Sequence, residues 1–365
     1  MSNIFFERKI EMKKLKSVLA VLLVAVMVLS LAACTGKNNT QTETTTAAPE
    51  ATTEAVPESE QIKVAAIKGP TGMGMVKLFE DNHYQFTLTG DPTEIVSLIT
   101  TKAVDIAACP LNLAANLYKK TGGKIQMLGI NTLGVLYVVT NGVTVNSIKD
   151  LSGKTVYLTG QGATPEFIVN DILKKNGLEN DVKLEYLSEH SELVAKMASG
   201  GVQVAVLPEP FVSVAGSKLK DMTVALNLTD EWSKVNPDAS LAMGCVIARS
   251  EFIEKNPDAV EKFIADNKAS VEYVNVNPIE AASKIVSNGI LDEGAFSVSE
   301  DLSGNKLEKA KQEKATAVIT RCNIVFIDGE QMIATANANF KVYFDADKTS
   351  IGGEMPADTL YYVEK

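Results

Sequence analysis

The chain of 365 residues is poor in the side chains that bind metals and form disulfides, with four cysteines, two histidines and one tryptophan. So few cysteines exclude a disulfide-dense scaffold. Two histidines without a closely spaced cysteine pair leave little for a zinc or haem site, so we expect no metal and no cofactor. Three cysteines follow Cys34, and an odd number leaves at least one thiol free. The sequence leaves open whether Cys245 and Cys322 form a disulfide bridge.

Positive charge is also scarce. The formal net charge is −10, which argues against nucleic acid as a partner because its binding requires a cationic surface. Hydrophobic residues make up 45% of the chain, which is enough to exclude a disordered protein. At roughly 100–200 residues per domain, the length predicts about two domains.

The N-terminal region has the pattern of a secretory signal. Lys13, Lys14 and Lys16 precede an unbroken apolar run over residues 18–29. This run is too short for a membrane-spanning helix, which needs about 20 apolar residues. The pattern therefore predicts a signal peptide over residues 1–33 rather than a membrane span.

The residues Leu31-Ala32-Ala33-Cys34 follow the apolar run. Small residues before a cysteine resemble the lipobox of bacterial lipoproteins, which implies cleavage before Cys34 and lipid attachment to its sulfur. An ordinary signal peptide that carries a cysteine is the alternative. Residues 34–60 are rich in threonine and glutamate and contain no aromatic residue. They lack the apolar surface needed to fold, so we predict a disordered leash.

The rest of the chain alternates predicted strands with predicted helices. This alternation is typical of βαβ units and predicts an α/β fold with mostly parallel sheets. We expect two Rossmann-like lobes, the first built from residues 61–141 and 247–365 and the second from residues 142–246. The chain would then cross twice between the lobes, at hinges near residues 140–143 and 243–247.

An internal repeat supports the two-lobe arrangement. Residues 94–110 align without gaps with residues 192–208, and each segment runs from a glutamate to a proline. Each copy has the pattern of a helix, a turn and a buried strand that ends at the proline. Because ligands bind outside the carboxyl ends of strands in open α/β sheets, the loops after these strands are expected to line a cleft between the lobes. Chance similarity between two βα units is the alternative.

Two glycine-rich loops follow predicted strands, one in each lobe. Residues 69–74 have the glycine spacing of a phosphate loop, but the next two positions lack the required lysine and hydroxyl. We instead expect free backbone N–H groups to contact a ligand at residues 71–73, and likewise at residues 161–164 in the second lobe. Tight turns that need glycine for their backbone geometry are the alternative.

Polar and aromatic side chains also stand at or after predicted strand ends. Together with the glycine-rich loops they give the candidate ligand-binding residues Gly69, Pro70, Thr71, Gly72, Met73, Pro110, Asn112, Asn131, Thr132, Gln161, Gly162, Ala163, Thr164, Glu189, His190, Glu209 and Phe211. Asn112 offers both a donor and an acceptor. A lone histidine such as His190 is more typical of a surface or capping residue than of a catalyst. Glu209 is open to two interpretations, as an acceptor for a ligand N–H or as a solvated charge.

The sequence gives little support for catalysis or for the recognition of anions by arginine. Asp105 and Glu209 could serve in acid–base chemistry, but nothing in their spacing pairs them. Arg249 and Arg321 are the two arginines after the signal, and neither falls in a predicted cleft loop. Bidentate binding of a carboxylate or sulfonate by arginine is therefore not expected. An anion could still bind at helix N-termini. A neutral or weakly basic solute, stacked on Phe211 or Trp232, is at least as consistent with these loops.

These features together resemble a known group of proteins, the solute-binding lipoproteins of ABC importers that bind nitrate, sulfonates, taurine or thiamine pyrimidine precursors. The resemblance rests on the signal, the lipobox, the leash, Gly69-Pro-Thr-Gly, Gly160-Gln-Gly-Ala-Thr-Pro, Ser188-Glu-His-Ser-Glu and Leu207-Pro-Glu-Pro-Phe211. It covers residues 62–365 and implies a type II periplasmic binding protein fold. The cysteine cluster of the yeast-type pyrimidine synthases with this fold is absent, and residues 293–320 fall outside the matched pattern.

The resemblance implies a monomeric capture protein, held on the outer face of the cytoplasmic membrane by lipid at Cys34. Its lobes would enclose a small organic or anionic solute by hinge closure and deliver it to an ABC permease with ATPase subunits. It implies no enzymatic activity and no nucleic-acid binding. A lyase or dehydratase on the same fold is one alternative, which the export signal disfavours. A sensory binding protein is another, which the sequence does not separate from import.

Overall fold

The computed structural model describes residues 57, 60–161, 164–237, 239–291, 293–299 and 301–364. The predicted signal peptide, Cys34 and nearly all of the predicted leash lie outside these residues. The chain divides into the units Met1–Glu54 and Ala55–Lys365, and the second of them contains all the elements described below. Within the described residues, no helix combines the length and apolar character needed to cross a bilayer.

Two sheets form the framework of the second unit. Their strands, in chain order, are β1 Ile62–Ile67, β2 Tyr84–Thr89, β3 Ile106–Pro110, β4 Ile125–Leu133, β5 Leu136–Asn141, β6 Thr155–Thr159, β7 Lys183–Leu187, β8 Val204–Pro208, β9 Met222–Asn227, β10 Ala242–Arg249 and β11 Ile324–Ile327. The strand order is β11-β4-β10-β3-β1-β2 in the first sheet and β7-β6-β8-β5-β9 in the second. The first sheet belongs to the first lobe and the second sheet to the second lobe.

Helices cover the two sheets. In chain order they are α1 Pro70–Met73, α2 Pro92–Thr100, α3 Leu111–Lys120, α4 Thr164–Lys175, α5 His190–Ala198, α6 Phe211–Lys218, α7 Leu228–Val235, α8 Ser250–Lys255, α9 Pro257–Val276, α10 Pro278–Ser287, α11 Gly304–Arg321 and α12 Gly329–Ala346. Short 3₁₀ helices span Leu78–Glu80, Ile148–Leu151, Glu293–Phe296, Lys348–Ile351 and Asp358–Leu360. Local capping signals start several of these helices. The Asp91 side chain, for example, accepts the Thr93 N–H at 2.8 Å and caps α2, which continues with proline in its first turn.

Each sheet contains both parallel and antiparallel pairs, but most of its strands run in one direction, in agreement with the predicted mostly parallel sheets. In the first sheet β1 runs parallel to β2 and β3, whereas β10 is antiparallel to β3 and β4. In the second sheet β6 runs parallel to β7 and β8, whereas β5 is antiparallel to β8 and β9. The reversed strands are β10 and β11 in the first sheet and β5 in the second. Two of them, β5 and β10, are entered directly from the other lobe. A strand entered from the carboxyl edge of a sheet must run against its neighbours.

The chain crosses between the sheets earlier than expected. β5 lies in the second sheet and β10 in the first. The first crossing is therefore at residues 134–135, not near residues 140–143 at the far end of β5. The second crossing lies between α7 and β10 and not at residues 243–247, which are inside β10. Both strands are largely buried apolar segments, and such a composition does not reveal which sheet a strand joins.

The internal repeat corresponds to equivalent structure in the two lobes. The first copy forms α2 and β3, and the second forms α5 and β8. β3 lies parallel to β1 in its sheet, as β8 lies parallel to β6 in the other. In both copies a further helix follows the proline that ends the strand, directly at Leu111 in the first copy and after two residues at Phe211 in the second. The repeat therefore places α3 and α6 at matching positions on the two sheets.

The second crossing is fixed by α12 and by the sole tryptophan. Asn339 of α12 donates its amide hydrogen to the Ser240 carbonyl at 2.8 Å and accepts the Ala242 N–H at 3.2 Å. Trp232 is fully buried and donates its Nε1–H to the Ala239 carbonyl at 2.8 Å. Trp232 therefore packs in the core and does not stack on a ligand.

Asn267 on α9 is a buried amide without a protein partner among the described residues. It is 1% exposed, and neither its Nδ2 nor its Oδ1 makes a hydrogen bond. An unsatisfied buried polar group costs about 1–3 kcal/mol, so we expect Asn267→Leu to raise the free energy of unfolding by about that amount. Urea denaturation measures the change. Asn339 is the matched control, because its buried amide is fully engaged and Asn339→Leu should destabilise the protein. A destabilised Asn267→Leu variant would contradict the prediction.

Candidate functional site

The carboxyl edges of the two sheets meet at the first crossing. β4 ends at Leu133, and β5 begins at Leu136, whose register partner is Pro208 at the carboxyl end of β8. β1, β3 and β4 share one direction, because β10 is antiparallel to both β3 and β4. The strand ends that carry the candidate residues therefore lie along these two edges, as the rule for open α/β sheets predicts.

A compact polar cluster lies at the edge of the first lobe. Asn131 at the end of β4 donates its Nδ2–H to the Thr71 carbonyl at 3.0 Å, and Thr132 Oγ1 donates to Asn131 Oδ1 at 3.1 Å. Gly244 of β10 fits beneath them. A Cβ at Gly244 would stand 2.5 Å from Thr71 Cγ2 and 2.7 Å from Asn131 Oδ1. The cluster therefore requires glycine at this position, which the sequence had not indicated beyond the general rule that glycine in a strand marks a close approach.

The turn that carries Thr71 uses most of its own backbone donors. Gly69 has φ 110, and its carbonyl accepts the N–H groups of Gly72 at 3.0 Å and Met73 at 3.1 Å. The side chain of Met73 is fully buried in the core. The prediction of free N–H groups at residues 71–73 is therefore wrong for Gly72 and Met73. α1 is a single turn beginning at Pro70, and its first hydrogen bonds close the turn on itself.

The second lobe contributes an aromatic and hydroxyl cluster. Thr159 Oγ1 and His190 Nδ1 form a hydrogen bond of 2.7 Å. The ring centroids of His190 and Phe211 lie 4.6 Å apart, with an angle of 41° between the planes. Glu189, which precedes His190, and Gln161, which follows Thr159 by two residues, are exposed. Gly162 and Ala163 lie outside the described residues. His190, Phe211 and Thr159 are thus brought together from the ends of three different strands.

One side-chain hydrogen bond joins the two edges directly. Thr164, the first residue of α4 in the second lobe, donates its hydroxyl to Asn112 Oδ1 on α3 of the first lobe at 3.0 Å. Thr164 is buried, and Asn112 is partly buried two residues after Pro110, which precedes α3. The candidate residues of the two lobes therefore converge on one region between the sheets.

Glu209 is buried at the end of β8, at 1% exposure, so its interpretation as a solvated charge is wrong. Its two carboxylate oxygens accept the Ser213 N–H and the Ser213 hydroxyl, both at 3.1 Å. The Arg321 guanidinium donates to Glu209 Oε1 through Nε and to Ser213 Oγ through Nη2, the latter at 2.8 Å. The carboxylate is engaged by protein groups, which leaves it little capacity to accept from a solute.

Arg321 was missed by sequence reasoning, which placed it away from the cleft. It is the last residue of α11 and lies 112 positions after Glu209. No local spacing links two residues so far apart. The only available signal was the scarcity of arginine, because a guanidinium is the side chain best suited to pair with a buried carboxylate.

The second candidate carboxylate, Asp105, lies at the opposite end of its strand. It precedes β3 and accepts the Arg249 Nη2–H at 2.5 Å and the Lys63 N–H at 3.0 Å. Asp105 is therefore at the amino edge of the first sheet, whereas Glu209 is at the carboxyl edge of the second. The two carboxylates do not form a general acid–base pair.

The three cysteines of the described part are free and fully buried. Cys109 and Cys245 are register partners on neighbouring strands, and their sulfurs lie 4.0 Å apart. The possible bridge between Cys245 and Cys322 is therefore not formed. Burial raises the pKa of the Cys245 and Cys322 thiols well above the usual range, which keeps them protonated and unreactive. Within the described residues, no cluster of three or more His, Cys, Asp or Glu side chains could hold a metal.

His190 gives the cluster of the second lobe a pH dependence. Burial lowers the pKa of His190 to about 4 from an ordinary value of 6.5, so folding favours the neutral ring. The unfolded chain binds the proton more readily than the folded chain. The stability that the folded chain gains from the neutral His190 ring is therefore complete above pH 6.5 and is lost as the pH falls towards 4. Between pH 7 and pH 5 the loss amounts to about 2 kcal/mol.

We therefore expect His190→Gln to lose less stability than the parent chain over this interval. Urea denaturation of both proteins at pH 7 and pH 5 provides the comparison, because titration of the carboxylates is common to both. His83→Gln is the matched control, since His83 is an exposed histidine. Equal losses in the parent and in His190→Gln would contradict the assignment of a buried neutral ring.

Known proteins are similar to this chain in sequence. The NMT1/THI5-like family pattern matches residues 78–281, which is a little over half of the chain. A protein of Brucella abortus named as a binding protein is 25% identical over 163 residues, which cover 44% of this chain and 49% of that protein. A binding protein of Brucella suis matches with the same figures. The chain thus spans about half the length of these relatives.

Solved structures share the fold over most of the chain. An ABC transporter protein from Parabacteroides distasonis superposes with a TM-score of 0.68 and 24% identity, over 84% of this chain and 100% of that one. The periplasmic aliphatic sulphonate binding protein SsuA from Escherichia coli gives a TM-score of 0.61 and 13% identity, over 84% and 95%. The two-lobe type II periplasmic binding protein fold is confirmed. These relatives are named as binding proteins or transporter components and not as enzymes, in agreement with the expectation of no enzymatic activity.

Proposed function

Because the chain belongs to the NMT1/THI5-like family and has the two-lobe fold of periplasmic binding proteins, we propose that it captures a small solute between its lobes and delivers it to an ABC permease. The observation that carries this proposal is the hydrogen bond between Thr164 and Asn112. It joins the two carboxyl edges at the place where ligands bind in such folds. Hinge closure around the crossings would then enclose the solute.

The solute would contact one polar cluster from each lobe. We propose that the first lobe offers Thr71, Asn112, Asn131 and Thr132, and that the second offers Gln161, Thr164, His190 and Phe211. Neutral amide and hydroxyl groups dominate this set, and they provide both donors and acceptors. The His190 and Phe211 rings present one flat apolar surface beside them.

A small uncharged or weakly basic organic solute suits these groups better than an inorganic anion. Each arginine of the described part is ion-paired, Arg249 with Asp105 and Arg321 with Glu209. An anion would therefore find no unpaired guanidinium among the described residues, although one structural neighbour is named as an aliphatic sulphonate binding protein. The pKa of His190, lowered to about 4 by burial, also leaves that ring uncharged at neutral pH.

Calorimetry tests the capture function. The protein would be unfolded and refolded to release any retained ligand, then titrated with a panel of uncharged pyrimidines, sulfonates and small anions. The proposal predicts saturable binding of one compound per chain, strongest among the uncharged heterocycles. Thr164→Ala, which removes the hydroxyl that contacts Asn112, should weaken that binding. No binding by any class, with an unchanged radius of gyration in X-ray scattering, would overturn the capture function.

We also propose that residues 1–33 are a signal peptide and that lipid at Cys34 tethers the folded lobes to the outer face of the cytoplasmic membrane through a flexible leash. The support is the order of basic start, apolar run and four-residue box before Cys34. Cys34→Ser should release the protein from membranes into the soluble extracytoplasmic fraction, because the variant lacks the attachment sulfur. Fractionation with immunodetection measures the release. Equal membrane retention of both forms would contradict lipid anchoring.

A further inference from the structure

The segment that precedes β11 forms a third tie at the first crossing, in addition to the two chain crossings themselves. Asn323 donates its amide hydrogen to the Gly134 carbonyl, and its own carbonyl accepts the Leu133 N–H at 3.0 Å. Tyr137 of β5 donates its hydroxyl to the Arg321 carbonyl at 3.0 Å. Asn323 adopts the uncommon positive φ of 44, and such strain persists only where the surroundings enforce it.

The side chain of Arg321 extends this tie into the second lobe. Arg321 ends α11, whose next strand, β11, belongs to the first sheet. Its guanidinium reaches Glu209 and Ser213, which lie at the start of α6 in the second lobe. Lys314, two turns earlier on α11, donates its Nζ–H to the Ser213 carbonyl at 3.0 Å. The segment of residues 293–320, which matched no family pattern, therefore supplies most of α11, a helix that bonds to the second lobe and leads into β11 of the first sheet.

Separating the lobes at the contact between Arg321 and Glu209 would be energetically unfavourable. The Glu209 side chain has no solvent exposure, whereas that of Arg321 is 29% exposed. Separating the two would leave a buried carboxylate without its partner, which proteins avoid. The pair must therefore stay intact while the lobes move, and motion must turn about it.

We propose that the Arg321–Glu209 pair is the pivot of lobe motion and that Arg321 is a positioning residue for the cleft. Arg321 fixes the angle between the lobes in the absence of solute. Through Glu209 and Ser213 it also holds the start of α6, and with it the Phe211 ring that packs against His190. The consequence for affinity rests on the proposed solute capture, whereas the resting angle does not.

Spin-label distances between the lobes test the pivot without any solute. Labels would be attached to cysteines introduced at Glu94 and Glu192, the exposed repeat-equivalent positions on α2 and α5. The three described native cysteines are fully buried and would not compete for label, and a Cys34→Ser background removes the fourth. Arg321→Gln should broaden the distance distribution and shift its mean by more than about 2 Å.

The matched control is Arg249→Gln, which removes the other arginine and its ion pair with Asp105 inside the first lobe alone. Its distance distribution should coincide with that of the parent. If Arg321→Gln does not fold, Tyr137→Phe replaces it, because it removes only the hydrogen bond to the Arg321 carbonyl and should broaden the distribution. An unchanged distribution in the folded variant, or an equal change in Arg249→Gln, would overturn the pivot. Because no solute is present, that failure would leave solute capture untouched.

Discussion

Replacing Glu209 with glutamine is expected to lower the free energy of unfolding by about 3–5 kcal/mol, the cost of leaving one partner of a buried ion pair uncompensated. Glutamine keeps the volume of the side chain but removes the charge that the Arg321 guanidinium faces. It also presents an amide nitrogen to the donors of Ser213, which bond both carboxylate oxygens in the parent chain. Urea denaturation at pH 7 measures the change.

Asp105→Asn is the matched control for this prediction. Asp105 also pairs with an arginine, but the Asp105 and Arg249 side chains are 15% and 14% exposed, and Arg249 has Glu251 within 3.7 Å as a second partner. The control should therefore lose clearly less stability than Glu209→Gln. A loss below about 1 kcal/mol in Glu209→Gln, as is common for exposed ion pairs, would show that the pair is not structurally important.

Replacing Gly244 with alanine is expected to weaken solute binding by about 100-fold, equivalent to about 3 kcal/mol. The added Cβ would stand 2.5 Å from Thr71 Cγ2 and 2.7 Å from Asn131 Oδ1, so both side chains must move. Their displacement breaks the hydrogen bond from Asn131 to the Thr71 carbonyl and separates the polar groups proposed to contact the solute. Calorimetry with the best compound of the panel gives the ratio of dissociation constants.

Gly90→Ala serves as the control for glycine replacement itself. A Cβ at Gly90 would meet nothing within 4 Å, and the residue is not among those proposed to contact the solute. Its binding should equal that of the parent chain. If Gly244→Ala binds as tightly as the parent while remaining folded, the cluster of Thr71, Asn131 and Thr132 is not part of the solute site.

The fold could be predicted from sequence where local signals were strong. The alternation of predicted strands with predicted helices indicated an α/β fold, and the internal repeat predicted equivalent units in both lobes. Strand direction could not be predicted for β5 and β10. Both are largely buried, and a fully apolar strand carries no sign of the sheet it joins or of its direction there.

The candidate site was predicted only in part, because its decisive contacts are distant in sequence. The convergence of Asn112 with Thr164 followed from the rule that ligands lie at carboxyl strand ends. The partner of Glu209 could not be predicted from this rule, because the packing of α11 brings Arg321 to it. The engagement of the Gly72 and Met73 N–H groups depends on the tightness of a single turn, which glycine content alone does not determine.

Native mass spectrometry before and after a denaturing wash tests the central claim most directly. The refolded, ligand-free chain would be incubated with the small-molecule fraction of a cell extract and weighed intact. Capture between the lobes predicts one added mass per chain, lost after the wash and much reduced in the Gly244→Ala variant, which is expected to bind about 100-fold more weakly. Equal additions to the parent and to Gly244→Ala would exclude the cluster of Thr71, Asn131 and Thr132 from the site. An unchanged mass under all conditions would contradict a solute site between the two lobes.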